Sequence, residues 1–436
     1  MPSTFVGSLA QPAVTGNVAT TGVGFQPKAI LFYGNAMTAD GLGAHGDIYF
    51  GMATSATNRA CITNHGVDAT GGNSDTDYLQ VNDKCISVIN SSGTVLATAD
   101  LVSMDSDGFT LNWTTADATA RIVNYMALGG PDLTHAFIKE LQSPTSTGSV
   151  GYTGVGFQPD CVIAITGAVS DTPGTPGGSA KIGIGVATGA SDERHAGFHA
   201  QNASTVIAGA SLTNNRTIAR LTNNNTFIIS GDLTSMDADG FTINWGTVQV
   251  DGRYAWVLCL KGGRYKVGDD TFHVATTDNP ETGVGFLPTG LFALATRNQI
   301  ATTNDAISTL SIGAASSPAN QSCVTWNHED NSNADVMQYL DRANIVRLHQ
   351  SNDEEVGVQA LLSFDSDGFT MDTNDIFAAS TDYIYLAFGS VGSGTGGSAV
   401  GRGRGNGQGG SKGGGTKGGN QGKGVFAWGS RRRRTR

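Results

Sequence analysis

Charge is scarce in this chain: Asp, Glu, Lys and Arg make up 14% of its 436 residues, with a formal net charge of −11. Amphipathic helices are absent too. No window of about 12 residues keeps the apolar period that buries one helical face, which excludes a helical architecture. No apolar run approaches the roughly 18 residues that would mark a membrane-spanning helix. The opening MPSTFVGSLAQPAV has neither the basic start nor the apolar core of a secretory signal. Five cysteines without CxxC spacing argue against a disulfide framework and against a zinc site. Unpaired thiols fit synthesis in a cytoplasm.

What the chain does contain is repetition. TGVGFQP stands at 21–27 and again at 153–159, and TGVGFLP at 282–288. A second phrase recurs in step: SMDSDGFTLNW at 103–113, SMDADGFTINW at 235–245 and SFDSDGFTMD at 363–372. Phe25 precedes Phe109 by 84 residues, Phe157 precedes Phe241 by 84, and Phe286 precedes Phe369 by 83. Further echoes are GMATS at 51–55, GVATG at 185–189 and GAASS at 313–317, and the closing strands YMALGG, VLCLKGG and YLAFGS. The units run over 1–130, 131–264 and 265–391. This period far exceeds solenoid repeats of roughly 20–50 residues and matches a self-sufficient domain of about 100–150. Each unit is therefore expected to own its core.

The vocabulary inside each unit is that of strands: short runs rich in Val, Ile, Phe, Trp and Thr, bounded by Gly, Asn, Asp or Pro. Each unit carries a hairpin, around NSSG (90–93), TNNN (222–225) and QSNDEE (350–355), whose residues tolerate tight-turn geometry. In the first phrase proline belongs at a strand entrance. The continuous runs behind it, AILFY, CVIAI and LFALA, suit strands covered on both faces. Phe25, Phe157 and Phe286 are expected as core anchors beside the turn. A phosphate-binding reading of TGVGFQP fails, because no helix opens after it and the third glycine is missing.

The paired carboxylates Asp105/Asp107, Asp237/Asp239 and Asp365/Asp367 invite a calcium reading. A calcium site needs about 6–8 oxygens, so turn chemistry launching a strand is preferred, with Phe109, Leu111 and Trp113 alternating inward. Histidines stand at 45, 65, 135, 195, 199, 273, 328 and 349. His65 and His199 align, but the third unit has Asn327 there with His328 beside it, so the set is read as exposed loop histidines. Cys61 and Cys323 align with His195, while Cys85, Cys161 and Cys259 read as small core residues. No catalytic residue, metal site or cofactor is assigned.

From 392 the material changes. Residues 393–436 are Gly-rich and carry ten Lys or Arg and no acid, which leaves the preceding body at −21. Such sequence cannot bury enough surface to fold alone. Near its end Phe426 and Trp428 form an apolar plug before Arg431, Arg432, Arg433 and Arg434. These six residues are the expected contacts to a protein partner or an anionic surface. Nucleic acid is the competing target, since clustered arginines neutralise phosphates.

The pairing of GFQP plus apolar strand with S-x-D-x-DGFT plus Trp, closed by the Tyr-rich or apolar last strand, resembles repeat domains of bacteriophage structural proteins of the tail and virion surface. The resemblance covers most of 1–391 and none of the tail, and the third unit departs from it at FTMDTND, which lacks the Trp. It implies a virion component built of β-sandwich modules at the host-facing periphery. The expectation is thus an all-β chain of three tandem antiparallel β-sandwich, jelly-roll-like repeat domains with a disordered Gly/Arg-rich C-terminal tail at 392–436. Its expected function is that of a non-enzymatic virion protein of tail, fibre or head surface. Expected partners are other virion proteins, further copies of itself in a homo-oligomer, and a host-surface glycan bound through repeated weak sites. A nucleic-acid-associated protein acting through the arm is the alternative. A polysaccharide-active enzyme would need a carboxylate pair in a cleft, and none stands out beyond the DxDG turns.

Overall fold

The computed structural model describes residues 3–68, 75–167, 173–203, 208–221, 226–272, 278–304, 307–329, 336–349, 355–372 and 381–391. Among these residues the protein is all-β, with no helix. The chain divides into two units, Met1–Ser393 and Gly394–Arg436, and the described residues all belong to the first.

In the first repeat the strands are β1 (Ser3–Ala10), β2 (Gly16–Thr21), β3 (Pro27–Gly34), β4 (Gly41–Ala44), β5 (Gly46–Ser55), β6 (Asn58–Val67), β7 (Asp75–Val81), β8 (Ile86–Ile89), β9 (Val95–Asp105), β10 (Gly108–Thr115) and β11 (Ile122–Gly129). They form a large sheet, in the order β1-β11-β3-β5-β6-β7, and a small one, β2-β10-β9-β8, all antiparallel. The later repeats give the same order from their own strands, between His135–Gln142 and Tyr254–Lys261 and between Arg264–Thr271 and Asp382–Gly389.

One strand per repeat leaves home. Gly177–Gly178 of the second repeat pairs with Tyr78 and Asp77 at the open edge of the first repeat's large sheet. Thr302–Asn304 of the third pairs with Ala210–Leu212 of the second. β4 of the first pairs with Met337–Leu340 of the third. Donation therefore runs in a closed circle, and each large sheet gains a seventh strand that covers an edge otherwise open to further pairing.

Two kinds of apolar core result. Inside the first repeat, Val23, Phe32, Tyr49, Phe109, Leu111, Trp113 and Tyr125 pack between the large and small sheets, and the other repeats have equivalent clusters. A further core draws on all three repeats, with Leu31, Ile62 and Met126, Ile163, Phe198 and Trp256, and Phe292, Trp326 and Leu386 in one cluster. Phe198 and Trp326 stack there with centroids 5.0 Å apart. Each repeat therefore has a core of its own and, in addition, an apolar face that it buries against the other two. The physical reason is the continuous run after each proline. β3 is buried along nearly its whole length, so both faces need cover, and the small sheet covers only one.

The hairpin of the first repeat is as expected, with Asn90 Oδ1 accepting the Ser92 and Thr94 amides at 3.0 Å. The turns at 222–225 and 350–354 lie outside the described residues. Phe109, Leu111 and Trp113 do alternate inward, each no more than 1% exposed. Two of the three phenylalanines of the first phrase are less central than expected. Val23, Val155 and Val284 are buried in that loop and Phe286 is a core anchor as expected, while Phe25 and Phe157 pack from the side.

Candidate binding clefts at the repeat seams

The two recurring phrases turn out to hold each other. Asp107 accepts the backbone amides of Gly22 (3.0 Å) and Gly24 (2.6 Å). Asp239 does the same for Gly154 and Gly156, and Asp367 for Gly283 and Gly285. Successive amides around positive-φ glycines make a concave anion site, and here the anion is the protein's own carboxylate. The bond to Gly156 is the main cause that lowers the Asp239 pKa. The first carboxylate of each pair is also engaged: Asp105 accepts from Ser103 and Thr110 hydroxyls at 2.7 Å, as do Asp237 and Asp365 from their equivalents. The following glycine is dictated by space, because a Cβ on Gly108 would sit 1.9 Å from Thr20 O. No grouping of three or more His, Cys, Asp or Glu fit for a metal occurs among the described residues.

The histidines need correction. His45 and His135 are exposed, but His65, His195, His199, His328 and His349 are buried in strands, and His273 lies outside the described residues. Burial pushes His195, His199 and His349 down to about 3 and His328 to about 4. His65 is the exception. Burial lowers its pKa, but the bond to Asp47 at 2.9 Å and the charge of that carboxylate outweigh it and raise it. The same cross-strand position holds Asp47 with His65, Lys181 with His199, and Thr309 with Asn327. Burial, then Arg220 and Arg253, lower Lys181 to about 7. All five cysteines are free and buried. The tail contacts Phe426, Trp428, Arg431, Arg432, Arg433 and Arg434 lie outside the described residues.

The three repeats meet at three equivalent seams, where the first strand of one repeat faces the turn between the β5 and β6 equivalents of another. Between the first and second repeats, Asn58 bonds both backbone groups of Ile138, at 2.8 and 2.7 Å. Asn82 and the Trp256 indole donate to Glu140 there, and a cleft of about 360 Å³ is left. Between the second and third, Arg194 pairs with Asp269, and Lys266 with Asp192 at 3.3 Å, so charge crosses the seam.

Between the third and first, the Val6 amide donates to Ser316 Oγ at 3.0 Å near a cleft of about 600 Å³. Its lining includes Phe5, Ser8, Asn124, Asn320 and Gln321. Arg342 spans its rim to Asp40 by two bonds of 2.8 and 3.0 Å. Sequence reasoning passed over these clefts, because it searched for residues that repeat, and the cleft-lining residues are those that do not. The signal lay in the last strands, VNYMAL, AWVLCL and YIYLAF, where Asn124 interrupts an apolar run at the position of Trp256 and Ile384.

No family model and no curated protein matches this chain. Among solved structures it has a likeness to OccK5 (OpdH) of Pseudomonas aeruginosa, with 9% identity over 89% of this chain and 98% of that one at a TM-score of 0.10. A second likeness is to an anion-selective porin from Comamonas acidovorans, with 12% identity over 88% and 99% at a TM-score of 0.09. Scores this low carry no argument about fold or function.

Proposed function

We propose that this protein is a non-enzymatic structural component of a bacteriophage virion, on the tail, fibre or head surface. In this reading three tandem antiparallel β-sandwich domains are displayed for assembly and for attachment to a host surface, and the disordered basic arm contacts other virion proteins or a neighbouring copy. The observation that supports it best is the circle of donated strands around a shared apolar core. Each repeat is fixed against both others, so loops at the repeat ends are presented at set spacing, and weak contacts made together gain by avidity. Antibody-gold labelling of purified virions tests the reading: label on tail, fibre or head is expected, and particles that never bind the antibody while the infected lysate does would sink it.

The tail's ten cations favour a second reading, in which the arm holds nucleic acid. With all ten engaged, log affinity against log salt would slope towards about −9 on duplex DNA. Deleting 393–436 would abolish that binding. Retained binding after deletion rules the arm out.

A further inference from the structure

The residue facing each seam from the last strand of the large sheet differs in every repeat. Trp256 is 1% exposed and its indole N–H is taken by Glu140. Ile384 lies in the shared apolar core. Asn124 is fully buried and lines the 600 Å³ cleft between the third and first repeats, yet neither its amide nitrogen nor its carbonyl oxygen has a partner among the described residues. A buried polar group without a partner calls for an explanation, and here the donor and the acceptor of one side chain are both buried and unpaired. An amide has replaced the bulky group where bulk would fill the seam.

From this geometry we propose that the cleft is a saccharide site with Asn124 as its floor; the proposal rests on the host-attachment reading and names its ligand class. Neighbouring hydroxyls of a sugar ring each donate and accept, which matches an amide offering both functions. Phe5 borders the cleft from the other face of the sheet, where its half-buried ring packs on Tyr125. Exposed Ser8 and Asn320 supply further polar groups at the mouth. Charge at the rim is already paired between Arg342 and Asp40, so the cleft suits a neutral polyol better than a bare ion. Its volume falls within the roughly 300–1,000 Å³ of small-molecule sites, which combine apolar walls with a few placed polar groups. The second repeat lacks such a floor because Trp256 fills it, and the seam between the second and third repeats is crossed by Arg194 and Asp269.

The test uses the full chain and free glucose, galactose, N-acetylglucosamine and rhamnose in saturation-transfer NMR. Transfer to the ring protons of at least one sugar is expected. Asn124→Trp, which installs the bulk that the second repeat carries, should abolish it. Asn124→Ala keeps the space and removes the floor's hydrogen bonds, and should weaken binding roughly tenfold. Unchanged melting shows that a variant has folded; if the Trp variant does not fold, the Ala variant decides. No transfer from any of the four sugars, or transfer undiminished in the folded variants, overturns the site. The wild-type protein should also block phage adsorption to cells. If it binds sugar through Asn124 but leaves adsorption untouched, the site stands and the attachment reading falls. If it blocks adsorption equally well as Asn124→Trp, attachment uses another surface and the site is overturned as the receptor contact.

Discussion

The core inside each sandwich and the core between the sandwiches are composed by different rules. Within a sandwich the residues repeat: Val23, Val155 and Val284 hold one place, and Phe109, Phe241 and Phe369 another. Three copies of one packing problem receive one solution. The shared core is a single space filled jointly, so equivalent positions must complement each other instead of matching. Asn64, Phe198 and Trp326 stand at one such position, two of them stacked and the third accepting the Lys181 amide at 2.6 Å. Close packing tolerates neither three large rings at one point nor a void.

The sharpest way to break this comparison is to separate the repeats. A fragment of residues 1–130 keeps its sandwich core but bares its part of the shared one, so size exclusion should show aggregates or self-assembled oligomers. A folded monomer would mean that the shared core is dispensable. Cutting after residue 391 removes neither core and should leave melting unchanged. Next in size, Trp326→Ala and Trp113→Ala remove a buried aromatic from the shared and the sandwich core, each costing about 3–5 kcal/mol by denaturant titration. A near-neutral result for Trp326 alone would show a loosely filled centre.

Acid should separate the repeats from one another. The unfolded chain protonates histidine near 6.5, whereas His195, His199 and His349 resist until about 3 and His328 until about 4. Stability is therefore fully present above about pH 6.5 and falls as pH drops through this window, by up to ~1.4 kcal/mol per pH unit for each histidine. His65, with its raised pKa, works in the opposite direction and stabilises at low pH. Hydrogen exchange between pH 6.5 and 4 should show strands of the second and third repeats opening before β5 and β6. Uniform loss would discount the buried histidines. The smallest effect expected is none: chelation by EDTA should leave the melting temperature in place, because all six DxDG carboxylates are taken by backbone amides and hydroxyls. A calcium-reversible drop of several degrees would show them to be ligands.

Strand content and the hairpin at 90–93 were legible because local propensity and turn chemistry set them. The fixed spacing of 83 or 84 residues between the phrases was also visible, but its cause, Asp107 bound to the Gly22 and Gly24 amides, needed coordinates. The shared core was half legible. Runs such as AILFY require cover on both faces, and a two-sheet sandwich provides it on one, so a further layer was implied though not drawn. The histidines were misjudged because failure to repeat was taken for exposure. Asn124 escaped for the same reason: comparing copies finds what they share, and the open seam is made where one copy differs.

The circular exchange of strands also sets a timetable. β4 is made early, but its partner lies in the third repeat, and the nearby Asp40–Arg342 pair spans 302 residues. On a ribosome the first repeat must wait, with an apolar face bare and a strand unplaced, until nearly all of the body has emerged. Contacts of such long range make closure slow, and the waiting intermediate prone to stray association. The same circle constrains ancestry. A repeat cannot be gained or lost singly without leaving one donor with no acceptor and one edge with no donor, so the number three is locked in by topology as firmly as any residue is by packing.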